Sequence, residues 1–237
     1  GLGGKPFYTD ANTLYKGPRD NTREHLKVAK DHGFEPVIIS EENDHATVEV
    51  NSKHFKKVYI AGAAARAKAM LALTHFKGHD VTGFGGALKN IGMGLGTRLG
   101  KLRMHQDCEN CPEITSCQKN QTIESCWVGS PALVQEKMDE YALGVVKNKR
   151  MGYISFLTDI SPDCDCYPYN DPPVVPDLGV LVSLDPVAID QASIDLVNQA
   201  AGKDVFRELY PQADWAVQLK YAEEIGLGSR KYELVIK

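Results

Sequence analysis

Residues 75–105 read HFKGHDVTGFGGALKNIGMGLGTRLGKLRMH, and the rest of the chain is expected to be built around this stretch. Eight glycines (78, 83, 85, 86, 92, 94, 96 and 100) share it with His75, Lys77, His79, Lys89, Arg98, Lys101, Arg103 and His105. Its one acidic residue is Asp80. Glycine permits positive φ and lets a backbone approach a bound group closely, at an entropic cost in ordering. With so few carboxylates among the cations, the expected occupant is an anion: a phosphate, a carboxylate or the negative groups of a cofactor. The alternative is a structural crossover, with glycines for tight packing and cations turned to water.

The flanks set the architecture. Lys57–Ile60 reads as a strand, the alanine-rich run 61–69 as a helix, and Met70–Thr74 as a buried strand that delivers His75 to the glycines. This strand, helix, strand order places sites at the C-terminal edge of a parallel sheet. Gly83, Gly85 and Gly86 allow a tight turn, and a helix beginning near Ala87 would offer its N-terminal amides to an anion. Lys77, His79, Lys89, Asn90, Lys101 and His105 are the side chains expected to converge there.

Phe7–Asp10 ends a short strand, and Asp10 is read equally as a functional carboxylate or a cap. Asn21 and Glu24 have the spacing of a helix start, with Gly33 as the stop. PVIIS at 36–40 and TVEV at 47–50 are short strands. Ser130-Pro131 opens a helix with Val134, Met138, Tyr141 and Val145 on one stripe. Strand 153–157 leads into a proline-rich segment. LGVLVSL at 178–184 reads as the central strand, and Asp185-Pro186 opens another helix. Val205–Tyr210 and Trp215–Ile225 are helical, and Tyr232–Ile236 is a candidate edge strand. The expected class is α/β, a mixed or mostly parallel sheet with helices on both faces, in a single domain over 1–237. A small cysteine-rich excursion at 106–130 interrupts it. Gly1-Leu2-Gly3-Gly4 runs straight into Lys5-Pro6-Phe7 with no initiator methionine, so a chain incomplete at its N-terminus is expected.

Composition narrows the partners. A net charge of -4 argues against nucleic acid as the main partner. No run approaches a membrane span and no signal peptide is visible in the first 30 residues, so no membrane association and a cytoplasmic location are expected. Clustered cysteines in such a chain suggest metal or redox chemistry before structural disulfides. Cys108, Cys111, Cys117 and Cys126 would suit an iron-sulfur cluster or, alternatively, zinc. Cys164 and Cys166 flank Asp165, and at strand-like spacing both thiols face one ligand. They join Asp190, on the helix after 178–184, as further candidate site residues.

Several long stretches resemble one family: GGKPFYTDANTLYKG at 3–17, HFKGHDVTGFGGALKNIGMG at 75–94, GKLRMH at 100–105, DCDCYP at 163–168, SLDPVAIDQASIDLV at 183–197 and YAEEIGLGSRKYEL at 221–234. Together they resemble the DUF362 family of uncharacterised iron-sulfur-centre proteins. The resemblance implies a core with a ferredoxin-like insert of two four-cysteine runs after the position of His105. The 25 residues from Gln106 to Ser130 are too few for that insert, and a single remodelled cluster or a metal-free loop takes its place.

The leading expectation is an iron-sulfur or other metal-centre protein with a redox or electron-transfer role, a small anionic ligand and a redox partner protein. The alternatives are a hydrolase or transferase acting on a phosphate- or carboxylate-bearing small molecule, and a non-catalytic ligand-binding protein. In the hydrolase or transferase, His75 or His79 would act as acid–base, with Asp10 or Asp165 orienting a partner.

Overall fold

A computed structural model describes residues 3–111, 117 and 126–236. Its centre is a three-stranded sheet in the order β5 (Ala69–His75), β8 (Arg150–Leu157), β9 (Gly179–Ser183). β5 and β8 run parallel, with Leu71 opposite Gly152 and His75 opposite Phe156, while β9 is antiparallel to β8. Three short pairs surround it. β1 (Tyr8–Asp10) and β2 (Val37–Ile39) are parallel across α1 (Thr22–Asp31), and β3 (His45–Glu49) and β4 (Lys57–Ala61) are antiparallel. β6 (Lys77–His79) and β7 (Gly83–Gly85) form a hairpin directly after β5.

The helices start where local chemistry puts them. The Asn21 side chain accepts from the Glu24 amide at 3.0 Å, and Gly33 follows the end of α1 at φ 80°. Ser130 caps α5 (Pro131–Val146), whose stripe Val134, Met138, Tyr141 and Val145 is fully buried. Asp185 Oδ1 accepts from Val187 and Ala188 at 2.8 and 2.9 Å to open α6 (Pro186–Ala201), which ends at Gly202 in the left-handed region. α3 (Ala87–Leu95) packs between α5 and α6, and Leu88, Ile91, Met138, Tyr153 and Ile189 form the core they share with the sheet. α4 (Arg98–His105), α7 (Val205–Leu209) and α8 (Ala216–Glu224) complete that side.

Several elements differ from expectation. The alanine-rich helix α2 spans only Gly62–Arg66, because Ala69 is already paired with Arg150 in the sheet. Pairing thus overrides the helix propensity of alanine. β5 alternates buried and exposed residues instead of being buried throughout. The apolar run at 178–184 forms the edge strand, not the centre: Val180 is 51% and Val182 73% exposed. An unbroken apolar run suits burial on both faces, and the outer face of this sheet leaves Leu71, Leu73, Phe156, Val180 and Val182 exposed. Residues 232–236 form no strand. No helix among the described residues is long and apolar enough to cross a membrane.

Candidate functional site

Because β5 and β8 are parallel neighbours, the chain segments that follow them meet at one edge. The hairpin after β5 lies against the loop 158–166 after β8. Gly78 donates to Ser161 O at 2.8 Å, and a Cβ at Gly78 would meet Pro162 O at 1.7 Å, so only glycine permits this approach. His75 fastens the loop. Its Nδ1 lies 3.0 Å from both Asp165 carboxylate oxygens, and its Nε2 lies 3.0 and 3.2 Å from the Thr158 and Asp159 carbonyls. All four partners are acceptors, so both ring nitrogens donate and the ring is an imidazolium. The bond to Asp165 accordingly raises its pKa, against burial. Lys77 Nζ donates to His75 O at 2.8 Å and pairs with Asp165 Oδ2 at 3.1 Å. Burial acts to raise Asp165, but His75 and Lys77 outweigh it and hold the carboxyl at about 2.

Next to Asp165, the buried Cys164 has Lys89 Nζ 3.8 Å from its Sγ. His79 is its second partner. The His79 Nδ1 accepts from the Val81 and Thr82 amides, both at 3.2 Å, which places the ring proton on Nε2, facing Cys164. Asp80 Oδ1 lies 3.4 Å from the same Nδ1. An ion pair there would require protonating a nitrogen already used as an acceptor, and burial instead lowers the His79 pKa, so the ring is neutral. The exposed Cys166 supplies a third hydrogen bond. Bonds from Cys166, then His79 and Lys89, lower the Cys164 pKa despite burial, while the same sharing raises Cys166. The two thiols are thus pushed apart, Cys164 towards the thiolate and Cys166 towards the thiol.

The glycines beneath serve packing more than amide display. Asp190, buried on α6, accepts from the Ala87 and Leu88 amides at 2.7 and 2.9 Å. Those amides, expected to face an anion, cap α3 onto a carboxylate of the protein itself. A Cβ at Gly86 would meet Asp190 Oδ1 at 2.4 Å. Burial pushes Asp190 up to about 7, against the two amide bonds. Gly83 adopts φ 74° and abuts Trp215, whereas the stems of Lys89 and Lys77 lie across Gly85. Asn90 donates to Leu73 O and Thr74 Oγ1, both at 2.9 Å, tying α3 to β5.

Lys101 lies elsewhere. Its buried ammonium donates to Gly96 O at 2.8 Å, Gly94 O at 3.0 Å and Ala11 O at 3.4 Å, and burial lowers its pKa to about 8. It therefore neutralises the C-terminal carbonyls of α3 rather than meeting Lys77. Asp10 bonds the Ala11 amide at 2.8 Å and lies 3.7 Å from His25 Nε2, a turn-capping arrangement. His105 is buried against Trp127, with ring centroids 4.4 Å apart. Burial first, then His79, Lys89, Lys101 and Lys137, lower it to about 3. Two residues not singled out from sequence also belong here. Tyr15 is bonded by Arg19 at 3.1 Å, and the charges of Cys166 and Cys164 act on it. Tyr15 lies within the quoted 3–17 stretch and Arg19 two residues beyond it, but nothing in their spacing marks them.

The other cysteines lie between α4 and α5. Cys108, Cys111, Cys117 and Cys126 are all half-buried, and none of the six described cysteines is in a disulfide. The Cys108 thiol is pushed up by burial first and then by Cys126, Cys111 and Cys117. Four thiols suit a soft metal in kind, yet among the described residues no group of three or more His, Cys, Asp or Glu side chains is arranged to hold an ion. Residues 112–116 and 118–125 of the excursion lie outside the described residues. A groove of about 820 Å³ lies at the opposite end of β5 and β8, beside Lys68 and Arg150, away from this chemistry.

A family model described as a domain of unknown function, DUF362, matches residues 1–195. No curated protein matches the chain.

Proposed function

This chain belongs to the DUF362 family, and we propose that it is a thiol-based redox protein acting on a small anionic molecule at the Cys164 edge of the sheet. The observation that carries the reading is the placement of Cys164 among Lys89, His79 and Cys166. A thiolate, not a thiol, is the nucleophile, and neighbouring donors and cations make one available at neutral pH. Lys89 and Arg19 face this charge without being committed to an internal carboxylate of the loop, so they are the cations offered to a negative ligand. The hydrolase or transferase alternative has less support, because both nitrogens of His75 are taken. Alkylation tests the proposal. One cysteine of the 164/166 pair should react fastest with iodoacetate, and added small anions should protect it. Equal, slow reaction at all six cysteines would overturn it.

A second reading is favoured by the mutual influence of the four remaining thiols. Cys108, Cys111, Cys117 and Cys126 would hold an iron-sulfur cluster or zinc, and a cluster would supply one-electron storage. Anaerobic purification followed by iron, zinc and sulfide analysis and an absorption spectrum tests it. Metal-free protein from that preparation rules it out.

A further inference from the structure

We infer that Cys164 and Cys166 form a dithiol–disulfide couple that exchanges electrons with small, negatively charged disulfides. The inference rests on the thiol-based reading above and names the substrate class of that site. Cys164 and Cys166 flank Asp165 in one tight turn, closed by the Tyr167 amide donating to Cys164 O at 3.0 Å, so the chain holds the two thiols close together. Asp165 is itself held by His75 and Lys77, which fixes the backbone between the cysteines. One sulfur is exposed and the other buried, the division of labour that a two-step exchange needs. Lys89 reaches the buried sulfur, and Arg19 approaches from the N-terminal turn, so the face a substrate must approach is cationic.

The step balances as written. The reduced pair carries one proton and one negative charge. The charge rests mainly on Cys164, but the proton exchanges between the two sulfurs, and in the minor form Cys166 is the exposed thiolate. It attacks one sulfur of the substrate disulfide, forming a mixed disulfide and releasing the first substrate thiolate. That thiolate takes the Cys164 proton, the one whose loss Lys89 and His79 favour. Cys164 then attacks the Cys166 sulfur, closing the Cys164–Cys166 disulfide and releasing the second substrate thiolate. The dithiol monoanion has lost two electrons and its proton, and the substrate has become one thiol and one thiolate. The reverse reaction, with a dithiol reductant, restores the pair.

The test uses the full chain and glutathione disulfide as the anionic probe, with cystamine as the cationic and hydroxyethyl disulfide as the neutral control. Peptide mapping by mass spectrometry should find the 164–166 disulfide in wild type. Glutathione disulfide should be the fastest oxidant at low salt, with an advantage over cystamine of roughly tenfold or more that shrinks as salt is added. Cys164→Ser should accumulate a glutathione adduct on Cys166, because the resolving thiol is gone. Lys89→Ala should slow the glutathione reaction more than the hydroxyethyl disulfide reaction. Fast iodoacetate alkylation of the pair with no intramolecular disulfide overturns this inference while leaving the thiol-based reading standing. Slow alkylation overturns both. Oxidation that leaves 164 and 166 reduced and links cysteines of 108–126 also overturns it.

Discussion

The two cysteine groups of this protein share a residue type and little else. Cys164 and Cys166 sit where donors and cations surround sulfur, so one thiol is pushed down. Cys108 is pushed up by burial and then by the neighbouring thiols, against Lys137. The difference teaches what each group requires. Metal ligation needs thiolates, and four thiolates together are stable only with a cation among them. The quartet therefore calls for a cation among its thiolates, whereas the pair has Lys89 for charge and the neutral His79 N–H as a donor.

The most forceful way to break this contrast is to remove Cys164. An ordinary thiol is about 1% or less thiolate near pH 6, so Cys164→Ser should slow the fastest iodoacetate reaction by roughly a hundredfold there. Stopped-flow alkylation with peptide mapping measures it. A rate set by Cys108 or its neighbours, and unchanged by the substitution, would invert the comparison.

A second expectation concerns the support beneath the pair. The folded Asp190 carboxyl titrates at about 7 rather than 3.8, so the native state binds the extra proton between those values. The Asp190 contribution to stability should therefore be greatest below about pH 4 and fall as pH rises to about 7, by an amount of order 2–4 kcal/mol. Asp139, buried without a partner and also raised, acts in the same direction. Urea unfolding across that range should show the slope, and Asp190→Asn should flatten it. A stability that rises with pH there would remove Asp190 from this role. Gly86→Ala is the next smaller effect. Its Cβ would meet the Asp190 carboxylate, so a loss of about 1–3 kcal/mol is expected by chemical denaturation, together with slower alkylation of the pair. Unchanged stability would mean that the α3–α6 contact yields easily.

What the sequence revealed follows from how far each interaction reaches along the chain. Asn21, Ser130 and Asp185 cap helices within three residues of themselves, so their roles were legible. Asp190 caps a helix from about a hundred residues away, and no local pattern announces that. Lys77, Lys89 and Lys101 look alike in the quoted stretch, but one holds Asp165, one faces sulfur and one serves three carbonyls. The topology decides which. The edge position of β9 was hidden for the same reason, since an apolar run records its composition and not its neighbours.

Asp165→Asn is the finest probe of the contrast, because it changes the geometry of the pair without touching either sulfur. The carboxylate lies between the cysteines in sequence and accepts from His75 Nδ1 at 3.0 Å and Lys77 Nζ at 3.1 Å. An asparagine retains one acceptor oxygen but loses the charge that makes both bonds strong. The Asp165 side chain is 45% exposed, so solvent screens the pair and the loss should be only about 1 kcal/mol. The pH dependence identifies the cause. Asp165 is lowered to about 2 in the fold, so its contribution is complete above about pH 4 and disappears as pH falls through 2. His75 is raised above 6.5, so its contribution is complete below that value and fades as pH rises through its folded pKa. Wild type should therefore converge with the variant as pH falls through 2, exceed it most between about pH 4 and the folded His75 pKa, and keep the Lys77 part of its advantage above that. NMR titration should find the His75 pKa lower in the variant, and alkylation of the 164/166 pair should slow while that of 108–126 stays the same. An equal change in both cysteine groups would show that the substitution acts through global stability, not through the tether that distinguishes them.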